Sequence, residues 1–582
     1  MNIKSIVQNE LVEDPSSVWL LRGHDKFAYS DGVGSEQYLK KVLQRSNDLS
    51  TRSDELESCI KDWSSEYHLT TKRAQLLSGF RFDRTMKVLE VGCGCGAITR
   101  YLGETFDSVV SVEGSIARAR LARLRTRDLT SVSIVCAPFQ EIRFSQKFDI
   151  IFVIGVFEYS ASFVQGDDPY DAVLKYFSDM LTPDGMVVIA IENQFGLKYL
   201  NACREDHLGS KFEGVEGYHR RNAGVRTFGK AELELYVKRY FPEVRFFYPY
   251  PDYKIPDGVL STEFLRSGSG GEVVSQMLSR DYSGPNQPLF DEAATILELS
   301  RNHALEFFAN SFLVIAGRTS LRGVTFDQLA LLYSSGRKAE FSTETRILGG
   351  ADGKWIVSKR SRSGASVVDR GTIRMADTDA PWIPAQSLLT RVALRAKANS
   401  ATLDEIFAPC RKWVELLVAE SSVRSGVALL SGSHVDSIWS NVYLDGQDLR
   451  IVDREWIWTD DIPLNVVVVR AIYDFLMRLE RVPRFSRALG ARRGRALIQG
   501  IASAIGVKLI PSDFDNFIAL ESEFQLIVGS TSKVHQRLYW RLFLIDRSTL
   551  RFFVGMLRSF HRYMERAESL SSRVFSKFSA RR

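Results

Sequence analysis

Apolar and polar positions along the first half of the chain follow the pattern of short strands separated by amphipathic helices. Four apolar runs come in succession, and a fifth follows a Thr-Pro-Asp-Gly turn. Such runs are typical of parallel strands buried on both faces, and their alternation with helices predicts a doubly wound α/β sheet. The predicted strands are Lys87–Val91, Ser108–Val112, Val132–Cys136, Phe148–Gly155 and Met186–Ile191.

Helical periodicity occupies the intervals around these strands. One helix is expected before the first strand, and the others connect successive strands. The predicted helices are Trp63–Leu76, Ala97–Glu104, Arg118–Arg127 and Tyr170–Leu181.

Two later apolar runs predict a pair of strands at the end of this domain. Val244–Tyr248 and Ser311–Ala316 flank a long excursion, Pro249–Asn310. A long segment that crosses the ligand-binding edge of a sheet is often functional, so this excursion is a candidate cap over a bound acceptor.

The turn after the first strand carries the strongest chemical signal in the chain. The segment reads VLEVGCGCGAITRYL, so Glu90 is followed by Gly92, Gly94 and Gly96 at alternate positions. Glycines in a strand-to-helix turn let the backbone approach a ligand closely. A dinucleotide fingerprint has the spacing G-x-G-x-x-G, which this turn lacks.

The E-x-G-x-G-x-G segment resembles motif I of the class I S-adenosylmethionine (SAM)-dependent methyltransferases, which implies SAM as cofactor. Glu113, at the end of the second strand, is placed to accept hydrogen bonds from ribose hydroxyls, or it is a solvated strand-end acid. Phe139 and Gln140 follow the third strand and are expected beside adenine. By the same resemblance, Tyr67 and Arg73 hold the methionine carboxylate.

Segments further along resemble the methyltransferases of bacterial O-antigen and related polysaccharide clusters, which include bifunctional methyltransferase–kinases that terminate O-antigen chains. These segments are IENQFGLKYL, EDHLG, EGYH, GVRTFGKAEL, FFYPYPDYKIPDGVLS and FANSFLVIAGR. The resemblance covers residues 62–318. It implies methyl transfer to a growing or lipid-linked polysaccharide acceptor.

Two acceptor chemistries remain open from the residues. A sugar hydroxyl needs a general base within hydrogen-bond reach, for which His219 and Glu158 are candidates. A phosphate needs cationic groups instead, for which Arg220 and Arg221 are candidates. Each of these side chains is equally well explained as a surface or packing residue. The remaining candidates for this site are Tyr159, Glu192, His207 and Tyr218.

A second region resembles kinases of the aminoglycoside-phosphotransferase branch. His434, Asp436 and Asn441 follow the pattern H-x-D-x-x-x-x-N, and Asp453 comes after a predicted hairpin. The resemblance implies that Asp436 orients a hydroxyl, that Asn441 and Asp453 bind magnesium, and that Lys359 pairs with the phosphates of ATP.

The same region lacks several parts of an active kinase. No G-x-G-x-x-G loop precedes Lys359, few residues separate Lys359 from Pro381, and Arg454 follows Asp453 where a Phe-Gly pair is usual. The region is therefore expected to be reduced, and a degenerate structural or polysaccharide-binding module is an alternative to a working kinase.

Composition sets outer limits on these interpretations. A chain of 582 residues is too long for a single hydrophobic core, so two or three domains are expected. The fractions of apolar residues (45%) and charged residues (25%) are ordinary for a soluble protein. The sequence predicts a reduced, cytoplasmic protein, because its six cysteines are scattered without metal-ligand spacing and it has no signal segment and no long apolar run.

The C-terminal residues form a basic segment. The segment from Thr531 onward contains twelve Lys or Arg residues and three acidic residues, and its arginines alternate with large apolar residues. A basic amphipathic helix of this kind suits an anionic membrane surface, or it packs on a protein partner. No nucleic-acid recognition motif accompanies it, so nucleic-acid binding is not expected.

The fold class predicted is α/β: a Rossmann-like class I methyltransferase, then a reduced kinase-like α+β domain and a basic helical tail. The main functional hypothesis is O-methylation of a bacterial surface polysaccharide. A bifunctional kinase–methyltransferase, a scaffold that recruits a glycosyltransferase and a small-molecule methyltransferase are the alternatives. The predicted divisions are an extension 1–58, a methyltransferase 59–318, a kinase-like domain 319–510 and a tail 511–582.

Overall fold

The structure is a computed structural model of the chain. It describes residues 3–23, 32–219, 224–284, 286–334, 336–350, 353–398, 400–446, 448–479, 489 and 494–529. The chain forms two compact units. The first consists of Met1–Ser335, Ala339–Ser366 and Asp377–Pro384, and the second of Gly336–Lys338, Val367–Ala376 and Ala385–Arg582.

The first unit is built on a sheet of fourteen strands, numbered along the chain. Their spatial order is β1-β2-β6-β5-β4-β7-β8-β11-β9-β10-β13-β14-β15-β18. The strands are β1 (Leu11–Glu13), β2 (Trp19–Leu21), β4 (Lys87–Val91), β5 (Ser108–Glu113), β6 (Val132–Cys136), β7 (Phe148–Ile154), β8 (Leu181–Glu192), β9 (Glu243–Tyr250), β10 (Gly258–Ser261), β11 (Ser311–Gly317), β13 (Ala330–Tyr333), β14 (Thr343–Gly349), β15 (Trp355–Ser361) and β18 (Thr378–Pro381), and β3 (Arg81–Phe82) pairs separately with β12 (Val324–Thr325).

Helices cover this sheet and connect its central strands. They are α1 (Val33–Arg45), α2 (Asp54–Glu57), α3 (Trp63–Leu69), α4 (Ala97–Thr105), α5 (Ile116–Arg125), α6 (Ser160–Phe163), α7 (Pro169–Met180), α8 (Leu197–Leu200), α9 (Lys230–Lys238), α10 (Thr262–Arg266), α11 (Gly270–Val274), α12 (Glu292–Arg301) and α13 (Leu305–Phe308).

The central strands are parallel and buried on both faces, as their apolar runs predict. Strands β6, β5, β4, β7 and β8 pair in parallel, whereas β11 pairs antiparallel with β8 and β9. Alternate residues of β7 enter two separate cores: Ile151 and Val153 in one, Ile150 and Phe152 in the other. Side chains of a strand point alternately to its two faces, so both faces of the sheet are covered.

The predicted strands and helices agree with the observed ones to within a few residues, with two exceptions. The turn expected at residues 182–185 lies within β8, which begins at Leu181. The expected helix Trp63–Leu76 is divided into α3 and a 3₁₀ helix, Thr71–Leu76. Thr70 separates them because its backbone is extended and its hydroxyl accepts a hydrogen bond from the Lys72 amide at 3.3 Å. A Thr that caps the following turn ends a helix, which periodicity alone does not register.

The division between the units differs from the predicted boundary at residue 319. Strands β13, β14, β15 and β18 were expected in a kinase-like domain, but they continue the sheet of the first unit through β10. The predicted extension 1–58 also belongs to the first unit, because β2 pairs in parallel with β6. A hairpin pattern predicts strand pairing within the hairpin, and it does not say which sheet edge the hairpin joins.

The second unit combines short strands with helices around an aromatic core. Trp413, Trp439 and Phe407 are fully buried and pack with ring centroids 5.6–5.9 Å apart. Its strands are β16 (Val367–Arg370), β17 (Ile373–Ala376), β19 (Ser422–Arg424), β20 (Val427–Leu430), β21 (Val442–Asp445), β22 (Asp448–Ile451), β23 (Trp456–Trp458) and β24 (Ile462–Pro463), and its helices are α14 (Leu388–Arg395), α15 (Leu403–Phe407), α16 (Arg411–Glu420), α17 (Leu464–Leu479), α18 (Gly494–Ala504) and α19 (Pro511–Val528).

Most of the predicted basic tail, residues 530–582, lies outside the described residues. The part that is described, α19, belongs to the compact second unit rather than to a separate tail. Across the described ranges, no helix has both the length and the apolar character that crossing a membrane requires.

Candidate active site

A cavity of about 410 Å³ opens at the carboxyl ends of β4, β5 and β7 in the first unit. This is the edge at which ligands bind in open α/β sheets. Two regions of its wall differ in chemistry, and we name them the cofactor pole and the acidic pole. The cofactor pole comprises Tyr67, Arg73, Glu90, Gly92, Gly94, Glu113, Phe139 and Gln140, and the acidic pole comprises Glu158, Asp206, His207 and Lys254, with Glu192 behind them.

The glycine turn of the cofactor pole needs glycine at two positions. Gly92 has φ of +76°, and a Cβ there would lie 2.3 Å from Val156 Cγ2. Gly94 has φ of +56°, and its Cβ would lie 2.9 Å from the Arg118 guanidinium. Both residues line the cavity, so their bare backbone forms part of the cradle for a ligand.

Gly96 has a different role from the one the sequence predicts. It does not line the cavity but precedes α4 with φ of +88°, where a Cβ would come within 2.7 Å of the Ala122 backbone. Gly96 therefore allows α4 to pack closely on α5, and its contribution to the turn is structural.

Glu113 is held in place by the backbone of the turn. Its carboxylate accepts hydrogen bonds from the Gly94 amide at 2.8 Å and from the Ser115 amide at 3.0 Å. A carboxylate offers about four acceptor positions, so it can also accept from ribose hydroxyls. Nearby, Glu90 accepts a hydrogen bond from Ser111, and burial raises the pKa of Glu90 to about 7.

The region predicted to hold adenine contains a buried acceptor without a partner. The Gln140 amide nitrogen donates to the Phe163 carbonyl at 3.1 Å, while its Oε1 is buried and makes no hydrogen bond. The ring of Phe139 lies beside Gln140 in the cavity wall. An apolar ring next to an unused amide oxygen suits an adenine, whose exocyclic amine is a donor.

Arg73 provides the corresponding unused donor. It is 4% exposed, and one of its terminal nitrogens donates to the Lys254 carbonyl at 2.7 Å, but its Nε makes no hydrogen bond. The guanidinium lies 4.4 Å from the Tyr67 ring centroid. A buried guanidinium with an unused N–H at a cavity wall suits a carboxylate ligand. The residues of the cofactor pole therefore fit the ribose, adenine and carboxylate of SAM.

At the acidic pole, Glu158 is fully buried, and neither of its carboxyl oxygens has a hydrogen-bond partner. It lies in a 3₁₀ helix, Phe157–Tyr159, directly after β7. Burial and the neighbouring Glu192 raise the pKa of Glu158 to about 8. A buried acid without a partner is costly, which indicates that a ligand completes it.

His207 is oriented toward both acids. Its Nδ1 is 2.7 Å from the Tyr159 hydroxyl, and its Nε2 is 3.3 Å from Glu192 Oε2 and 4.0 Å from Glu158 Oε1. Burial lowers the pKa of His207, but Glu192, Glu158 and Glu205 outweigh this and raise it to about 9.

The lysines of this region already have anionic partners. Lys254 contacts Glu192 and lies 2.6 Å from Asp206, and Lys198 lies 2.8 Å from the same aspartate. Burial lowers the pKa of Lys254, and Asp206 and Glu192 raise it well above its usual value. The described part of the acidic pole therefore has no cation left to receive a phosphate.

Several predicted acceptor residues lie away from the cavity. His219, the predicted base, is exposed and does not line it; the preceding Tyr218 has φ of +62°. Tyr218 itself bonds to Thr227 at 2.6 Å. Arg220 and Arg221 lie outside the described residues. Among the described histidines, it is His207 that the structure brings to Glu158.

Several residues of the cavity wall were not identified as site residues from the sequence, among them Trp63, Arg118, Asp206, Tyr253 and Lys254. Asp206 precedes His207 in EDHLG, and Tyr253 and Lys254 lie in YPDYKIPDG. These segments carried the family resemblance, and their clustered charges were the available signal.

In the second unit, the residues that resemble kinase chemistry are partly together. The Asn441 amide donates to Asp436 Oδ2 at 3.0 Å, and Arg470 pairs with Asp436 Oδ1 at 2.5 Å. Asp453 has φ of +60°. Lys359, by contrast, lies on β15 of the first unit. The described residues do not assemble a site for ATP and magnesium within one unit.

Comparisons with known proteins find families and relatives that are similar to part of this chain. Residues 89–187 match the family described as "Methyltransferase domain". The chain is 28% identical over 138 residues to the cyclopropane-fatty-acyl-phospholipid synthase of Escherichia coli (strain K12), covering 24% of this chain and 32% of that protein. It is 24% identical over 131 residues to the malonyl-[acyl-carrier protein] O-methyltransferase of Priestia megaterium, covering 22% and 44%.

The chain thus spans less than half the length of these curated relatives. Among solved structures, the N-methyltransferase NodS from Bradyrhizobium japonicum WM9 in complex with S-adenosyl-L-homocysteine is similar, with a TM-score of 0.19 and 20% identity over 28% of this chain and 74% of that one. The family match and the mixed central sheet identify a class I methyltransferase domain with a Rossmann-like fold in the first unit.

Proposed function

We propose that the protein is a SAM-dependent O-methyltransferase that methylates a hydroxyl group of a bacterial surface polysaccharide, so modifying or terminating the chain. One observation carries this proposal. A single cavity joins residues suited to SAM with a buried acid, Glu158, whose oxygens have no hydrogen-bond partner in the protein.

The cofactor pole would hold SAM through four kinds of contact. Glu113 accepts from the ribose, Gln140 accepts from adenine, and Arg73 donates to the carboxylate. The backbone at Gly92 and Gly94 lies close to the ligand because no side chain intervenes. When bound, SAM supplies a methyl group activated by its sulfonium.

The acidic pole favours a hydroxyl over a phosphate as acceptor. A hydroxyl donates a hydrogen bond, which a Glu158 oxygen can accept, whereas a phosphate would meet the like charge of the neighbouring Glu192. Glu158 in its ionised form would accept the hydroxyl proton, while bound SAM would supply the methyl group and leave as S-adenosylhomocysteine. The protein's part is to align the hydroxyl oxygen behind the methyl carbon in a closed site.

Support for a carbohydrate acceptor comes from the O-antigen-type segments and from the aromatic wall of the cavity. Trp63 and Tyr67 line it, and the Trp63 ring stacks on Tyr282 with centroids 4.0 Å apart. Flat aromatic rings suit the apolar face of a sugar ring.

The direct test is transfer of a deuterated methyl group. The protein is incubated with SAM carrying a trideuterated methyl and with polysaccharide isolated from cells that lack the protein. Mass spectrometry of the chain ends should then show one added trideuteromethyl group, retained after phosphatase treatment.

A matched pair of glycine variants controls this experiment. Gly92→Ala brings a Cβ to 2.3 Å from Val156 Cγ2 at a φ of +76° and should abolish transfer, while Gly34→Ala, on α1 with no atom within 4 Å of its new Cβ, should leave it unchanged. Equal labelling with both variants, or none with the wild-type protein, would refute the proposal.

A second candidate function is phosphoryl transfer by the second unit, which the Asp436–Asn441 contact favours. Such a unit would phosphorylate the chain end before methylation. The test is binding of a fluorescent ATP analogue with magnesium, which Asp453→Asn should weaken. No saturable binding would exclude this activity.

Contact with an anionic membrane or a glycosyltransferase stays a prediction for the basic tail 511–582, of which residues 530–582 lie outside the described residues.

A further inference from the structure

We propose that Glu158, Glu192 and His207 bind one divalent transition-metal cation, which holds the oxygen of the acceptor next to the methyl group. The role in catalysis rests on the proposed function, whereas the binding site itself rests on the geometry alone. Nothing in the family match or in the relatives assigns this site.

The three side chains present one ligand atom each at close range. These atoms all lie within 4.8 Å of one another: the nitrogen Nε2 of His207 and one carboxylate oxygen from each glutamate. With metal–ligand distances of about 2.1 Å, neighbouring ligand atoms on one ion lie about 3 to 4 Å apart. The separations of 3.3 Å and 4.0 Å from His207 Nε2 are already close to this range.

An independent observation points to a missing ligand at the same place. Glu158 is fully buried, faces the cavity and has no hydrogen bond at either oxygen. Buried polar atoms in native proteins are nearly always satisfied, and a bound ion is one of the accepted reasons for an exception. A cation bound to one Glu158 oxygen leaves the other oxygen for the acceptor hydroxyl.

The surrounding side chains orient the ligands as in known metal sites. The Tyr159 hydroxyl lies 2.7 Å from His207 Nδ1, which turns Nε2 toward the two glutamates. Lys254 and the Tyr253 hydroxyl contact Glu192 at Oε1, so its Oε2 remains directed to His207. Such second contacts fix ring orientation, and their loss commonly costs 10- to 100-fold in metal affinity.

The donor set indicates the class of metal. One imidazole and two carboxylates suit manganese, iron or zinc, whereas calcium and magnesium prefer oxygen donors alone. Three protein ligands leave open positions toward the cavity, which the acceptor oxygen can occupy.

Binding of Mn²⁺ to the full chain tests the site. After removal of metals with a chelator, electron paramagnetic resonance counts free Mn²⁺ during a titration. We expect one saturable site per chain, and a loss of at least 10-fold in affinity for Glu158→Gln and for His207→Gln. His303→Gln, an exposed histidine far from the cluster in sequence, should bind like the wild type.

Tyr159→Phe separates a metal site from a structural cluster. It keeps all three ligands and removes only the hydroxyl beside His207, so affinity should fall about 10-fold while the melting temperature changes little. No saturable Mn²⁺, or equal binding by all variants, would overturn the proposal. SAM binding measured on the same samples keeps the two proposals apart: SAM bound without Mn²⁺ refutes the cation alone, and Mn²⁺ bound without SAM refutes the proposed function alone.

Discussion

The two units each place an acid where the sequence predicts catalysis, and the surroundings of these acids differ. Asp436 in the second unit is paired with Arg470 and accepts a hydrogen bond from Asn441. Glu158 in the first unit is more deeply buried and has no hydrogen-bond partner. An acid whose bonds are made inside the protein stabilises the fold, while an acid without partners weakens it and is explained by a ligand.

The largest effect is expected from changing Glu158. Glu158→Gln should lower methyl transfer by about 100- to 1,000-fold, because a group positioned at the reacting centre is lost. Its melting temperature should stay equal or rise, since no bond of the fold is broken and a buried ionisable group is removed. Calorimetry and the trideuteromethyl assay measure the two quantities.

The exposed neighbour Glu141 supplies the control, since Glu141→Gln should change neither quantity. If Glu158→Gln lowered the melting temperature and left transfer intact, Glu158 would be a structural acid like Asp436.

The opposite result is expected for Asp436. Asp436→Ala leaves the buried Arg470 guanidinium with Glu521 as its remaining acidic partner and should destabilise the second unit by about 3 kcal/mol. Chemical denaturation followed by tryptophan fluorescence measures this. Asp448→Ala, an exposed acid on β22, should change stability by less than about 0.5 kcal/mol. If Asp436→Ala left the stability of the second unit unchanged, the contrast between Asp436 and Glu158 would be lost.

A smaller effect is expected at the cofactor pole. Arg73→Gln should weaken SAM binding by about 10- to 30-fold, because a charge-assisted bond to the carboxylate is lost. Isothermal titration calorimetry provides the affinity. Arg81→Gln removes an exposed arginine as a control. If Arg73→Gln bound SAM with unchanged affinity, another group would have to bind the carboxylate of SAM.

The cofactor pole was largely predictable from the sequence, whereas the acidic pole was not. Gly92, Gly94 and Glu113 follow two adjacent strands, so local spacing places them together. The acidic pole is built from four separate segments, which contribute Glu158, Glu192, His207 and Lys254. Whether these side chains lie close together depends on how loops fold back over the sheet, which no local pattern encodes. For this reason the sequence predicted His219 as the base, whereas the structure places His207 beside Glu158.

The sheet shows the same limit at larger scale. Central strands such as Val132–Cys136 were predicted to the residue, because a buried strand between helices has a distinct apolar run. The residue pattern also predicts a hairpin from residues 340–348 and 354–359, which β14 and β15 form. Its attachment to β13, and through it to the first unit, depends on an open sheet edge, and edge pairing leaves no mark in the sequence of the hairpin.

The central claim is that one cavity holds SAM at the cofactor pole with its methyl group facing the acidic pole. A crystal structure of the chain with S-adenosylhomocysteine, the product of transfer, tests this most directly. We expect the ribose at Glu113, the carboxylate at Arg73 and the sulfur facing Glu158. Product bound with its sulfur turned away from Glu158, or bound outside this cavity, would contradict it.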